Sequence, residues 1–237
     1  EAAGQPAPDL VGILGAGELY RGFASSAGVR HWFQDTGFSL DFCLVAEADR
    51  AVKRSWSGDT WDRAALARLM TDARADLALL QLPVCRVDPG QYRAWLSPSA
   101  VASVLALAGW SGFSARAQRA QTSCLQGLVD GRQSLSPKVH LWESAALGLA
   151  PPFQSQGFAR PDRIALISGG KHVGALTSPR SSLEHGLVTN GAEPEESPHA
   201  LEMAPGELAA QSARAALGTG IWLSNLWYLN HSDPSSG

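Results

Sequence analysis

The 237-residue chain has little of what usually announces a chemistry. Its three cysteines, Cys43, Cys85 and Cys124, are far apart and odd in number. No CxxC and no cysteine–histidine ligand spacing goes with them, so they suggest neither a zinc site nor a disulfide framework. They read as reduced core thiols of a cytoplasmic protein. Lys and Arg total 19 against 22 Asp and Glu, a net charge of −3, with no basic stripe. That leaves no electrostatic footprint for nucleic acid. No apolar run reaches the length of a membrane-spanning helix. The opening EAAGQPAPDL lacks the charged and apolar regions of a secretory leader.

Catalytic signatures are equally scarce. The six histidines are His31, His140, His172, His185, His199 and His231, and none forms an HExxH or another i,i+4 pair. A zinc hydrolase needs two nitrogen ligands on one helical face and a carboxylate base. Glu184-His185 is the one Glu-His neighbour pair, and no second His follows it. There is no G-x-S-x-G elbow and no P-loop, and spacing alone brings no Ser, His and Asp together. LVGILGAG places Gly12, Gly15 and Gly17 after an apolar run and imitates a dinucleotide fingerprint. Tyr20 stands where its third glycine belongs, so the fingerprint of a nucleotide-binding enzyme is incomplete.

What the chain does have is a strong C-terminal run, ALGTGIWLSNLWYLNH over 216–231. Bounded by Gly218 and Gly220, it predicts a buried strand. Asn225 inside it is unusual for a strand. It reads as a bulge, as a satisfied core amide, or as a group placed for a peptide backbone or partner chain. Eight tryptophans point first to core packing.

Patterning along the chain predicts an α+β fold. Residues 20–45 read as a β-meander in which Leu40, Phe42 and Leu44 share a face. Asp59 is the expected N-cap of a helix carrying Leu66, Leu69, Met70, Ala73 and Leu77, with Arg63, Arg68 and Arg74 outward. Residues 79–87 and 91–96 are expected strands. Ser97-Pro98-Ser99 starts a helix, and AVASVLALAGW, without a charge, is expected to be buried all round. Residues 111–136, small and polar, predict a mobile loop. PKVHLWES is a strand, RIALIS-GGK-HVGALT a hairpin, and 178–185 a short helix. An acidic exposed loop follows over 190–199, then a helix over 207–217 closed by Gly218. Three regions result: 1–50 as the end of an N-terminal β region, 51–136 as a middle α/β domain, and 137–237 as a mainly-β domain.

Several segments together resemble the TldD/PmbA family, in its PmbA (TldE) branch. They are YRGFASSAGVRHWFQDTGFSLDF, PGQYRAWLSPSAV, GLAPPFQSQGFARPDRIALISGGK, SPRSSLEHG and LGTGIWLSNLWYLNHSD, in the family's order. The resemblance implies a peptide-processing metalloprotease system that is also named for modulation of DNA gyrase. In it, the TldD-type subunit carries a zinc helix of pattern HExxxH, and the PmbA-type subunit closes a proteolytic chamber around an unfolded peptide. The zinc helix is expected over 100–110, where this chain reads AVASVLALAGW. The implied role is a non-catalytic subunit with no catalytic and no metal residue of its own, zinc being held by a TldD-type partner. A stand-alone peptide-binding module using a sheet edge is the alternative. Candidate contacts for partner or peptide are Asn225, Tyr228, Asn230 and Arg180, with the 111–136 segment. Neither nucleic acid nor membrane is an expected partner. The family extends beyond both ends of this sequence, and Pro234-Ser235-Ser236-Gly237 stops where a hairpin is expected to return, so the chain reads as a fragment.

Overall fold

The computed structural model describes residues 7–47 and 50–232; the segment 234–237 and the first six residues lie outside them. The α+β class holds. The meander is longer than its alternation suggested: β1 (Asp9–Ala24), β2 (Arg30–Val45) and β3 (Ala51–Gly58) form one sheet in the order β1-β2-β3. β2 pairs antiparallel with β3, with Leu40 opposite Trp56 and Leu44 opposite Val52.

The chain divides into two compact units. The first takes the chain up to Leu19 and then Thr36–Arg93; the second takes Tyr20–Asp35 and everything from Ala94 on. The base of the β1–β2 hairpin therefore belongs to the first unit and its tip to the second.

In the first unit, α1 (Arg63–Leu80) packs on the sheet. Its N-cap is Asp62 rather than Asp59: Asp62 Oδ1 accepts from Ala64 N at 2.7 Å. Phe42, Leu44, Val52, Ala73 and Leu77 form the core, as the period-2 and period-3.6 patterns required. Arg54 and Asp76 form an ion pair between β3 and α1. Phe38 meets Trp56 and Trp61 edge to face and the two indoles are tilted, with centroids 4.6–4.9 Å apart. The strand expected over 79–87 does not form. Its first two residues continue α1, and Pro83 follows with no amide to give a ladder.

The second unit is built on a four-stranded antiparallel sheet, β7-β6-β5-β8. Its strands are β5 (Leu141–Ser144), β6 (Arg163–Ser168), β7 (Lys171–His172) and β8 (Leu201–Met203). Phe113, Leu128, Leu141, Leu166, Ile167, Leu176 and Ala192 form its core. A separate parallel pair joins β4 (Ala94–Leu96) to β9 (Ile221–Leu223). β4 is shorter than the strand expected over 91–96.

Several expectations fail in this unit. The segment 111–136 is no mobile loop. It holds α3 (Ala115–Arg119) and α4 (Gln126–Val129), and Phe113 and Leu128 enter the core. Its serines are structural: Ser114 caps α3, and Ser123 Oγ donates to Gly112 O at 3.1 Å. The helix after Ser97, α2 (Pro98–Gly109), is covered on one side only. Leu105 and Ala108 reach the core while Val104 is 43% exposed, so absence of charge did not mean enclosure. The C-terminal run gives a strand of three residues, not a buried strand to 231. Beyond Leu223 the backbone carbonyl of Ser224 is taken by Ser97 Oγ, and Tyr228 adopts φ +50° at 99% exposure. The helix over 207–217 shrinks to a single 3-10 turn and α6 (Ala213–Leu217). Among the described residues no helix is long and apolar enough to cross a membrane.

Candidate functional site

The nucleotide reading ends at β1. Gly15 and Gly17 lie inside a continuous strand with nothing within 4 Å of where a side chain would start, and no helix follows them. The fingerprint needs a strand-to-helix turn at these glycines. Gly12 is the constrained one. A Cβ there would stand 2.6 Å from Asp41 O and 2.8 Å from Phe42 Cβ, so glycine lets β1 lie against β2.

α2 occupies the place where the resemblance puts a zinc helix. Ser97 anchors its start: Oγ accepts from Ala100 N at 3.1 Å and donates to Ser224 O, while Ser97 N donates to Leu223 O at 2.9 Å. At the other end, His231 Nε2 donates to Leu107 O at 3.2 Å and its ring meets Trp110 edge-on at 5.9 Å. The ribbon 221–231 thus runs beside α2 from first turn to last. Trp95 of β4 and Trp222 of β9 stack at 3.7 Å, with the Arg214 guanidinium over Trp222 at 4.8 Å. α2 itself offers a metal only serine hydroxyls, and Ser103 Oγ already donates to Ser99 O at 3.0 Å. With no imidazole, thiolate or carboxylate, these residues do not fit zinc. Among the described residues no group of three or more His, Cys, Asp or Glu side chains is arranged to hold a metal ion.

Three of the four candidate contact residues lie on this ribbon. Asn225 is half-buried and accepts from Ser224 Oγ at 3.0 Å, whereas Tyr228 and Asn230 are exposed. Arg180 belongs to α5 (Pro179–His185), where its Nε donates to Glu184 Oε1 at 2.7 Å. It shares no element with the other three.

Sequence reasoning missed two features. The stretch expected as an exposed acidic loop holds Glu196, which is fully buried. Its Oε2 accepts from Ser114 Oγ at 2.7 Å and from Arg116 N at 2.9 Å, and its Oε1 accepts from Ser178 N at 2.8 Å. One carboxylate thus closes the first turns of both α3 and α5. Burial pushes its pKa up, but these hydrogen bonds and one from Ser181 outweigh it and hold the group below the usual carboxylate value. The serine caps Ser114 and Ser178 were the only sequence signal for it.

The second feature is a cleft of about 520 Å³ on the other side of α3. Gln118, Arg119, Gln121, Gln126, Asp130 and Thr177 supply its polar lining, and Val129, Leu187 and Val188 its aliphatic wall. Gln118 Nε2 donates to Gly112 O at 3.0 Å and to His172 Nε2 at 3.1 Å. Asp130 is held below the usual carboxylate value by hydrogen bonds from Gln126 and Arg132. No spacing rule points to this cleft, because its residues come from three separate segments.

An antiparallel sheet flanked by short helices, a parallel β4–β9 pair and a ribbon along α2 make up the second unit, and α2 carries no metal ligand. Residues 89–237 match the family model described as the PmbA/TldA metallopeptidase C-terminal domain. That is more than half of the chain, and the chain belongs to this family. Comparison with curated protein sequences gave no match. Three solved structures share the fold. TldE from Thermococcus kodakarensis is 13% identical with a TM-score of 0.74, over 94% of this chain and 53% of its own. A proposed modulator of a DNA gyrase from Thermotoga maritima is 15% identical with a TM-score of 0.71, over 92% and 52%. A proposed modulator of DNA gyrase from Bacteroides thetaiotaomicron is 16% identical with a TM-score of 0.74, over 100% and 54%. The chain spans about half the length of these proteins.

Proposed function

We propose that the chain is part of a non-catalytic, TldE-like subunit of a two-subunit zinc peptidase acting on unfolded peptides in the cytoplasm. The carrying observation is α2. It stands after β4 and Ser97 where the family resemblance expects ligands, and it presents only Pro, Ser, Ala, Val, Leu and Gly. Such side chains bind no Zn²⁺ and activate no water. Zinc and the general base are therefore supplied by a TldD-type chain, and this chain contributes wall and peptide-contact surface. Free Cys43, Cys85 and Cys124 fit a reducing compartment.

The test is co-purification with a TldD-type protein, with zinc content and cleavage of unfolded casein measured on each chain and on the mixture. The expected result is cleavage dependent on the mixture, with zinc residing in the other chain. Chelator-sensitive cleavage by this chain alone would overturn the reading. A complex that never forms would move the stand-alone peptide-binding module ahead.

A further inference from the structure

The cleft beside α3 contains an unmet hydrogen-bond acceptor. Gln126 lines it and is only 9% exposed. Its Nε2 donates to Asp130 Oδ1 at 2.8 Å, and its Oε1 is buried with no donor. Buried side-chain oxygens in native proteins nearly always receive a hydrogen bond from protein, water or ligand. The missing partner is therefore an N–H or O–H donor. Nearby, Arg119 is exposed at the end of α3 and makes no ion pair or hydrogen bond among the described residues. A guanidinium offers two parallel N–H groups that match a carboxylate. Gln121, next along the chain, stands at φ +58° in the position after the helix where glycine is usual. Val188 is 91% exposed on the aliphatic wall.

We propose that this cleft binds the carboxyl end of an extended peptide. Arg119 takes the terminal carboxylate, Gln126 Oε1 accepts a backbone N–H, and Val188 covers an aliphatic side chain. The lining selects this class of ligand. A single free cation suits one carboxylate, whereas a phosphate site gathers several donors and charges. Asp130 is already engaged by Gln126 and by Arg132 at 2.9 Å, so it does not oppose the anion with a free charge. The volume is in the range of small-ligand sites. The peptide class rests on the peptidase reading above.

The test uses the chain without a partner subunit. Acetyl-Ala-Val-Val with a free carboxylate and the same peptide as its C-terminal amide are titrated and followed by amide chemical shifts. The expected result is saturable binding of the acid, with the amide weaker by about tenfold, the loss of one charge-assisted pair. Arg119→Met should erase the preference for the acid. Gln126→Leu, which removes the orphaned oxygen together with the Nε2 bond to Asp130, should weaken the amide by about fivefold, one neutral hydrogen bond, and the acid by at least as much. No saturable binding, or binding that ignores both substitutions, overturns the proposal. Arg119 is on the surface, so its variant folds whatever happens at Gln126. Cleavage by the two-chain mixture without binding here removes the cleft alone. Binding here without cleavage by any mixture removes the peptidase reading and keeps the cleft.

Discussion

Glu196 Oε2 accepts a hydrogen bond from Ser114 Oγ at 2.7 Å across 82 residues of sequence. The same carboxylate takes Arg116 N and Ser178 N, so one buried anion fixes two helix starts and the loop that carries it. Neither helix is long enough to be stable alone. Glu196→Ala takes the acceptor from the backbone N–H groups of Arg116 and Ser178 and from the Ser114 and Ser181 hydroxyls. The expected loss is about 3 kcal/mol, the cost of several unsatisfied buried donors. Urea unfolding of the second unit measures it, and a midpoint within error of the parent would show that Glu196 is dispensable.

The same residue sets an acid limit. Its folded pKa lies below the usual 4.5 because the hydrogen bonds outweigh burial. A group whose folded pKa is depressed contributes stability that is complete above its unfolded value and is lost as pH falls through the folded one. The parent chain should therefore lose stability as pH drops below about 4.5, the ordinary carboxylate range. Glu196→Gln should start lower and show a shallower decline over that interval. Unfolding midpoints of both proteins between pH 3 and pH 6, chosen to bracket the carboxylate range, decide it. Parallel curves would remove Glu196 as the source.

The regular elements were largely legible because their signals are local. Alternation around Phe42 and Leu44 marked the meander, and Ser97-Pro98 and Ser178-Pro179 marked two helix starts with the right caps. The diglycine at 169–170 marked a hairpin, with both residues at positive φ. What failed depended on distant partners. Apolar α2 looked enclosed, but only one side is covered: Ala100 and Gly109 are buried and Leu105 and Ala108 pack on the core, while Val104 is exposed. The ribbon after Leu223 looked like a strand, but its polar groups are taken by Ser97 and Asn225. The 111–136 segment looked mobile because its residues are small and polar, yet those serines are caps and bridges. For the candidate site, the missing ligands of α2 were visible in the sequence. The cleft was not, since its lining is drawn from α3, α4 and the chain around Thr177 and Val188.

His172 links that packing to neutral pH. Burial pushes its pKa below 6.5, against a smaller opposing effect from Gly174, and Gln118 Nε2 donates to its Nε2 at 3.1 Å. An amide nitrogen can only donate, so His172 Nε2 accepts and the ring is neutral with its proton on Nδ1. The sign follows that of Glu196. Below 6.5 the unfolded chain takes up a proton that the folded chain refuses, and stability is lost down to the folded value. Imidazole nitrogen shifts should show the Nδ1–H form at pH 7 and a midpoint below 6.5. A midpoint at or above 6.5 would contradict the buried acceptor geometry.

The buried ion pair of Glu143 and Arg160 is asymmetric in its hydrogen bonding. Both side chains are at most 3% exposed, and Arg160 Nε has no hydrogen-bond partner. Glu143, on β5, also accepts from His199 N at 3.0 Å and from Ala200 N at 3.1 Å. Removing the acid strands a buried guanidinium and two backbone N–H groups. Removing the base leaves a carboxylate that keeps its backbone donors and abolishes the orphaned Nε. Breaking a buried pair from the side that strands a charge costs about 3–5 kcal/mol. Arg160→Met also leaves a buried charge, but the two backbone N–H donors that Glu143 keeps offset part of that cost and bring it to about 1.5–3 kcal/mol. Glu143→Leu should therefore destabilise the second unit more than Arg160→Met, by about 2 kcal/mol. Denaturant titration of the two variants at pH 7 measures the order. Equal losses would mean that the pair acts as a closed unit and that the bonds to His199 and Ala200 add little. The reverse order would place the dominant cost on the carboxylate and require a donor network around Arg160 that its unpartnered Nε argues against.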